Sequence, residues 1–203
     1  MAIASRRRLV SAGLLLPLVS WLAGCDSAGV PVAFKAVDIT GAAYAKDLDL
    51  PDTEGKRRHI DEFQGKLTVV FFGFTQCPDV CPATMLELAQ VKQALGADGA
   101  KVQGIFISLD PERDTPAVLK AYVANFNPDF IALRGTLEET KDAAKRFKIF
   151  YAKVPGKAEG SYSLDHTAGS FVFDKQGKVR LFTRYGSGAE ALKHDLQLLL
   201  KQG

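Results

Sequence analysis

The chain has 203 residues, room for one ordinary domain with a short appendage. Hydrophobic residues make up 47% and charged residues 24%, which excludes disordered and collagen-like classes. The formal net charge of +3 arises before residue 25, where Arg6, Arg7 and Arg8 stand without an acid. The other 23 of the 26 basic residues are matched by 23 acidic ones, so the remainder has no overall charge with which to hold nucleic acid or an anionic membrane.

The N-terminus reads as a targeting segment. Arg6 to Arg8 form its charged region, and Leu9 to Leu22 form an apolar run broken by Pro17 and short for a bilayer span. Leu22-Ala23-Gly24-Cys25 then resembles the lipobox of bacterial lipoproteins. That resemblance implies removal of residues 1–24, lipidation of Cys25 and, with Asp26 next to it, retention at the inner membrane. An uncut signal anchor with an incidental Cys25 is the alternative. Under either reading the domain is exported, and a lipidated Cys25 leaves Cys77 and Cys81 as the only two free for thiol chemistry. Residues 25–45 are small, polar and weakly patterned, a membrane tether, and the domain spans 46–203.

Within the domain, Leu48 to Asp52 and Lys56 to Ile60 predict a small hairpin around Thr53-Glu54-Gly55. Leu67 to Phe74, a continuous apolar run rich in β-branched and aromatic residues, predicts a buried central strand. A helix follows from Pro82 to Leu95, stopped by Gly96, then a second buried strand from Val102 to Leu109. Thr115 caps a helix with Pro116 in its first turn, running to about Asn125. Thr136 and Glu139 form a capping box for another, ending near Phe147. Ser170 to Asp174 and Lys178 to Arg184 flank a glycine turn as a hairpin, and Gly188 to Gln202 closes as an amphipathic helix. Alternating strands and helices imply parallel pairing and the hairpin adds antiparallel strands. The expected fold is α/β and thioredoxin-like: a mixed central sheet flanked by helices, with a C-terminal hairpin and helix.

The chemistry concentrates where a buried strand passes into a helix. Cys77 and Cys81 are four residues apart, a spacing that puts both thiols on one face of a helical turn, within reach of one ion. A helix N-terminus is expected to lower thiol pKa towards the thiolate that a metal or a disulfide needs. Pro78 and Pro82 stiffen the turn. The alternative is a structural disulfide, although so small a loop gains little from a bridge. Of three histidines, His59 lies among charged residues on a solvated edge and His194 on the surface of the last helix. His166 precedes the Ser170 strand in a polar loop. In thioredoxin-like folds this loop faces the active-site helix, and disulfide-exchanging members carry a cis-proline there. This chain has no proline after Pro155, so an imidazole stands beside the sulfurs instead.

Three stretches carry a family resemblance: Phe72-Gly73-Phe74-Thr75-Gln76-Cys77-Pro78-Asp79-Val80-Cys81-Pro82, Ser108-Leu109-Asp110-Pro111-Glu112-Arg113-Asp114-Thr115-Pro116, and Asp165-His166-Thr167. Together they resemble the Sco/SenC copper proteins, which assist assembly of the copper-A centre of cytochrome c oxidase. The resemblance implies copper ligation by Cys77, Cys81 and His166, with Cu(I), Cu(II) or both, since two soft thiolates and an imidazole suit either. Structural zinc wants a fourth ligand, and none is near in sequence. Asp110 is a candidate acceptor that orients the site, or a turn residue beside Pro111. Asp79, Asp165, Glu112, Arg113 and Asp114 are candidates for a charged docking rim, with an ordinary solvated surface as the alternative.

Two function classes follow. One is a copper metallochaperone without turnover, whose partners are the copper-A subunit of cytochrome c oxidase, other periplasmic copper or thiol-redox proteins and, through its lipid anchor, the periplasmic face of the bacterial inner membrane. The other is a thiol–disulfide oxidoreductase in which Cys77 and Cys81 form a redox-active disulfide. Copper loading requires both cysteines reduced, so the two roles combine readily.

Overall fold

A computed structural model describes residues 33–202; the expected signal peptide, Cys25 and the first part of the tether lie outside them. Four strands occupy the first third of the described chain: β1 (Val37–Asp38), β2 (Asp49–Pro51), β3 (Arg57–His59) and β4 (Leu67–Gly73). Then come α1 (Val80–Ala94), β5 (Val102–Ser108), α2 (Pro116–Ala124), β6 (Ile131–Leu133) and α3 (Leu137–Arg146). The hairpin β7 (Tyr151–Pro155) and β8 (Tyr162–His166) precedes β9 (Gly169–Phe173), β10 (Val179–Arg184) and α4 (Ala189–Lys201).

Every residue of β4, β5 and β9 is buried, as continuous apolar runs covered on both faces must be. These strands form the centre of a six-stranded sheet ordered β1-β10-β9-β4-β5-β6. β4, β5 and β6 run parallel, while β9 is antiparallel to β4, β10 to β9, and β1 to β10. Alternate residues of β4 serve opposite faces. The Phe72 ring packs 5.0 Å from that of Phe147, just beyond α3, whereas Phe71 packs 6.1 Å from Phe106 on the Cys81 side. Thr115 caps α2 by accepting from the Val118 amide, with Pro116 first in the helix, and Thr136 and Glu139 close their reciprocal box on α3.

Three expectations change. The stretch read as tether up to residue 45 joins the domain well before that: β1 pairs with β10, Ala45 is fully buried, and the buried Asp195 carboxylate of α4 accepts from the amides of Lys35 and Ala36. Its small, polar composition suits an edge strand and turns as well as it suits a linker. Helix α1 begins at Val80 rather than Pro82, because proline is tolerated in a first turn whose N–H groups have no intrahelical partner. The third is the β7–β8 hairpin, which replaces the expected polar loop and places His166 on a strand opposite Tyr151. No helix among the described residues is long and apolar enough to cross a membrane.

Candidate metal centre

Strand β4 ends against α1 at Gly73. A Cβ at that position would lie 2.9 Å from Cys81 Sγ and 2.9 Å from the Phe71 ring, so only glycine lets the cysteine helix sit on the strand end. The chain then turns through Phe74-Thr75-Gln76, with the Cys77 amide donating to the Phe74 carbonyl at 3.2 Å. Cys77 therefore lies in the loop, not on the helix; Cys81 is the second residue of α1. The sulfurs meet because the loop folds back over the helix N-terminus. There the Cys81 N–H, one of the helix's unpaired donors, points at Cys77 Sγ at 3.4 Å.

His166 arrives from the end of β8. Its Nδ1–H donates to the Thr167 carbonyl at 3.0 Å, which leaves Nε2 as the bare nitrogen, 3.6 Å from Cys81 Sγ. Phe71 and Phe74 stand edge-on to the imidazole, each with its ring centre 6.0 Å away. The donor atoms of Cys77, Cys81 and His166 all lie within 4.8 Å of one another. Three ligands grouped about one ion at bond lengths of about 2.0–2.3 Å stand roughly 3.3–4.0 Å from one another. From 4.8 Å or less, the trio can close on a single ion with side-chain movements of about an ångström. Cys81 is fully buried while Cys77 and His166 are half-buried, so the site opens at the Cys77–His166 edge.

Burial decides the protonation states. It raises the Cys81 thiol far above its ordinary value, helped by the hydrogen bond with Cys77 and by the nearby acidic groups of Cys77 and Asp114, against a smaller lowering from the Phe74 backbone. The expected lowering by the helix N-terminus is overturned at Cys81: a fully buried thiol, crowded with the Phe71 and Phe106 rings around Gly73, loses more from desolvation than helix N–H groups return. Burial also lowers the His166 pKa, holding the imidazole neutral and ready to donate its lone pair.

Outside the trio, Asp114 is fully buried and grips the cysteine loop. It accepts from the Thr75 hydroxyl at 2.5 Å, the Thr75 amide at 3.2 Å and the Ser108 hydroxyl at 2.6 Å. This removes it from the expected docking rim; Asp79, Glu112 and Asp165 are exposed and Arg113 is half-buried. Asp110 is buried as well, but its partners are Arg113 and the Tyr162 hydroxyl, at 2.8 Å for the latter, rather than any of the three donors. His59 lies 3.7 Å from Asp49, and His194 bonds to Asp195; neither joins the cluster. Sequence reasoning assigned Asp114 to the docking rim and missed Thr75 and Tyr162 as parts of the site. The alternation of Tyr162, Leu164 and His166 along β8 was the available signal for the last of these.

Known proteins resemble the chain throughout this domain. An SCO2-like protein of Rickettsia felis is 38% identical over 133 residues, 65% of each chain; the match thus spans just under two thirds of that relative. The mitochondrial SCO2 homolog of Bos taurus is 35% identical over 188 residues, 86% of this chain and 70% of that one. The structure of Bradyrhizobium japonicum ScoI with copper bound superposes with a TM-score of 0.70 at 38% identity, covering 78% of this chain and all of that one. The family model described as SCO1/SenC matches residues 37–201, from β1 to the last residue of α4. With the match running the length of the domain, this chain belongs to the SCO1/SenC family.

Proposed function

We propose that this protein is a copper carrier that binds the metal through Cys77, Cys81 and His166 and helps assemble the copper-A centre of cytochrome c oxidase. The observation that carries this reading is the convergence of two sulfurs and one bare imidazole nitrogen within 4.8 Å. The donor set is soft, and no fourth His, Cys, Asp or Glu completes it among the described residues, so the metal is held by three protein ligands with one side left open. An open edge at a half-buried thiol suits exchange with an incoming ligand of a partner protein. Both cysteines bind as thiolates, so metal entry expels whatever protons the two thiols hold, that of Cys81 among them, while the neutral His166 gives up none, and handing the metal on returns those protons. The solved ScoI relative binds copper on the same fold.

The lipobox-like Leu22-Ala23-Gly24-Cys25 supports a location on the periplasmic face of the inner membrane, held by lipid on Cys25. A second reading, thiol–disulfide exchange with partner cysteines, is favoured by one observation: both cysteines are free, with the Cys81 amide 3.4 Å from Cys77 Sγ.

Anaerobic copper titration of the reduced soluble domain tests the proposal. One copper per chain is expected, with a thiolate-to-copper charge-transfer band when Cu(II) is used. Cys77→Ala and Cys81→Ala should abolish the band and His166→Ala should weaken and shift it. A wild type without stoichiometric uptake, or a His166→Ala variant with unchanged band and affinity, sinks the assignment.

A further inference from the structure

His166 stands on an arm that its own burial does not secure. Along β7 and β8 only Leu164 is buried, and an isolated two-stranded hairpin is marginal in water. The arm is fastened at Tyr162, four residues before the imidazole. The Arg113 guanidinium, in the turn after β5, lies over the Tyr162 ring with its Cζ 3.6 Å from the ring centre. Its Nη1–H donates to the Tyr162 carbonyl at 2.7 Å and to Gln76 Oε1 at 3.0 Å, and Gln76 directly precedes Cys77. Its Nε–H donates to the Asp110 carboxylate, whose other oxygen accepts from the Tyr162 hydroxyl. Nη2 is buried without a partner among the described residues, an unmade bond of the kind tolerated where a side chain is held for its position.

We infer that Arg113 is a positioning residue for the metal centre: one guanidinium ties the cysteine loop at Gln76 to the His166 arm at Tyr162, and so sets where the imidazole stands relative to the two sulfurs. The inference rests on Cys77, Cys81 and His166 being the metal site. Arginine is required because its planar fork reaches three directions while its face stacks on a ring; lysine offers one point charge and neither property.

The test compares Arg113→Ala, Arg113→Lys and Tyr162→Leu with wild type and His166→Ala. In the metal-free protein, amide hydrogen exchange across 151–155 and 162–166 should accelerate at least roughly tenfold in all three variants, with β4, β5 and β9 unchanged. In the Cu(II)-loaded protein the charge-transfer band should move towards that of His166→Ala, with copper affinity reduced roughly tenfold or more. The double variant Arg113→Ala/His166→Ala should bind no more than about twofold more weakly than His166→Ala alone, because the clamp acts only through the imidazole. Wild-type spectrum and affinity in Arg113→Ala, multiplying losses in the double variant, or rescue by lysine would each overturn the inference. Should Arg113→Ala fail to fold, Tyr162→Leu at its half-exposed position decides alone. If wild type takes up no copper, the metal reading fails, and unchanged exchange in the arm of Arg113→Ala separately refutes the clamp.

Discussion

Cys81 and His166 are shifted in opposite directions by one cause, burial, and both shifts favour the neutral group. For the imidazole the neutral form is the ligand. For the thiol it is not, so copper must displace a proton from Cys81 throughout the neutral range, while His166 adds little competition above the ordinary imidazole value of 6.5. Apparent copper affinity should therefore rise with pH between 6.5 and 8, by up to roughly tenfold per unit for each proton displaced. Competition titrations against a chelator of known protonation would show the slope together with the released protons. A flat profile would mean that the thiol is already ionised in the metal-free protein. The chemical types of these residues were legible in the sequence, but the sign of the Cys81 shift was not. It depends on the full burial of Cys81, whose sulfur is crowded with the Phe71 and Phe106 rings around Gly73, and the sequence displays only the helix start.

Capping boxes, proline starts and continuous apolar runs are local signals, and the elements they specify formed where expected: β4, β5, α2, α3, the β9–β10 hairpin and α4. Elements held by distant partners were less visible. β1 is two residues long and exists because β10 pairs with it and because Asp195, far along the chain, accepts from two backbone amides just before it. Asp195→Ala should free this edge strand. Losing hydrogen bonds to a buried carboxylate costs about 2 kcal/mol, and a domain of this size should melt about 4–8 °C lower. Exchange at residues 35–38 should accelerate while the copper spectrum stays as in wild type. A changed spectrum would show that the edge strand reaches the metal centre, contrary to its pairing on the far side of β10 and β9.

As a whole, the molecule carries its proposed metal site where β4, the start of α1 and the end of β8 meet, two segments rigid and one an arm. Loss of the protein should lower copper-A oxidase activity most when copper is scarce, and added copper should restore it in part by mass action. Restoration by His166→Ala at low copper, equal to that of wild type, would assign the essential role to thiol exchange instead. The αβ order, the buried central strands, the cysteine pair and the one histidine worth singling out are all visible from residue order, because they rest on local pattern and on motifs with few alternatives. Tertiary structure decided the rest: that Cys77 lies off the helix, that Cys81 is held protonated, that His166 rides on a hairpin, and that Arg113, Asp110 and Asp114 brace it and the cysteine loop. The braces join segments dozens of residues apart, and the other features depend on desolvation and on chain reversals that no local spacing encodes.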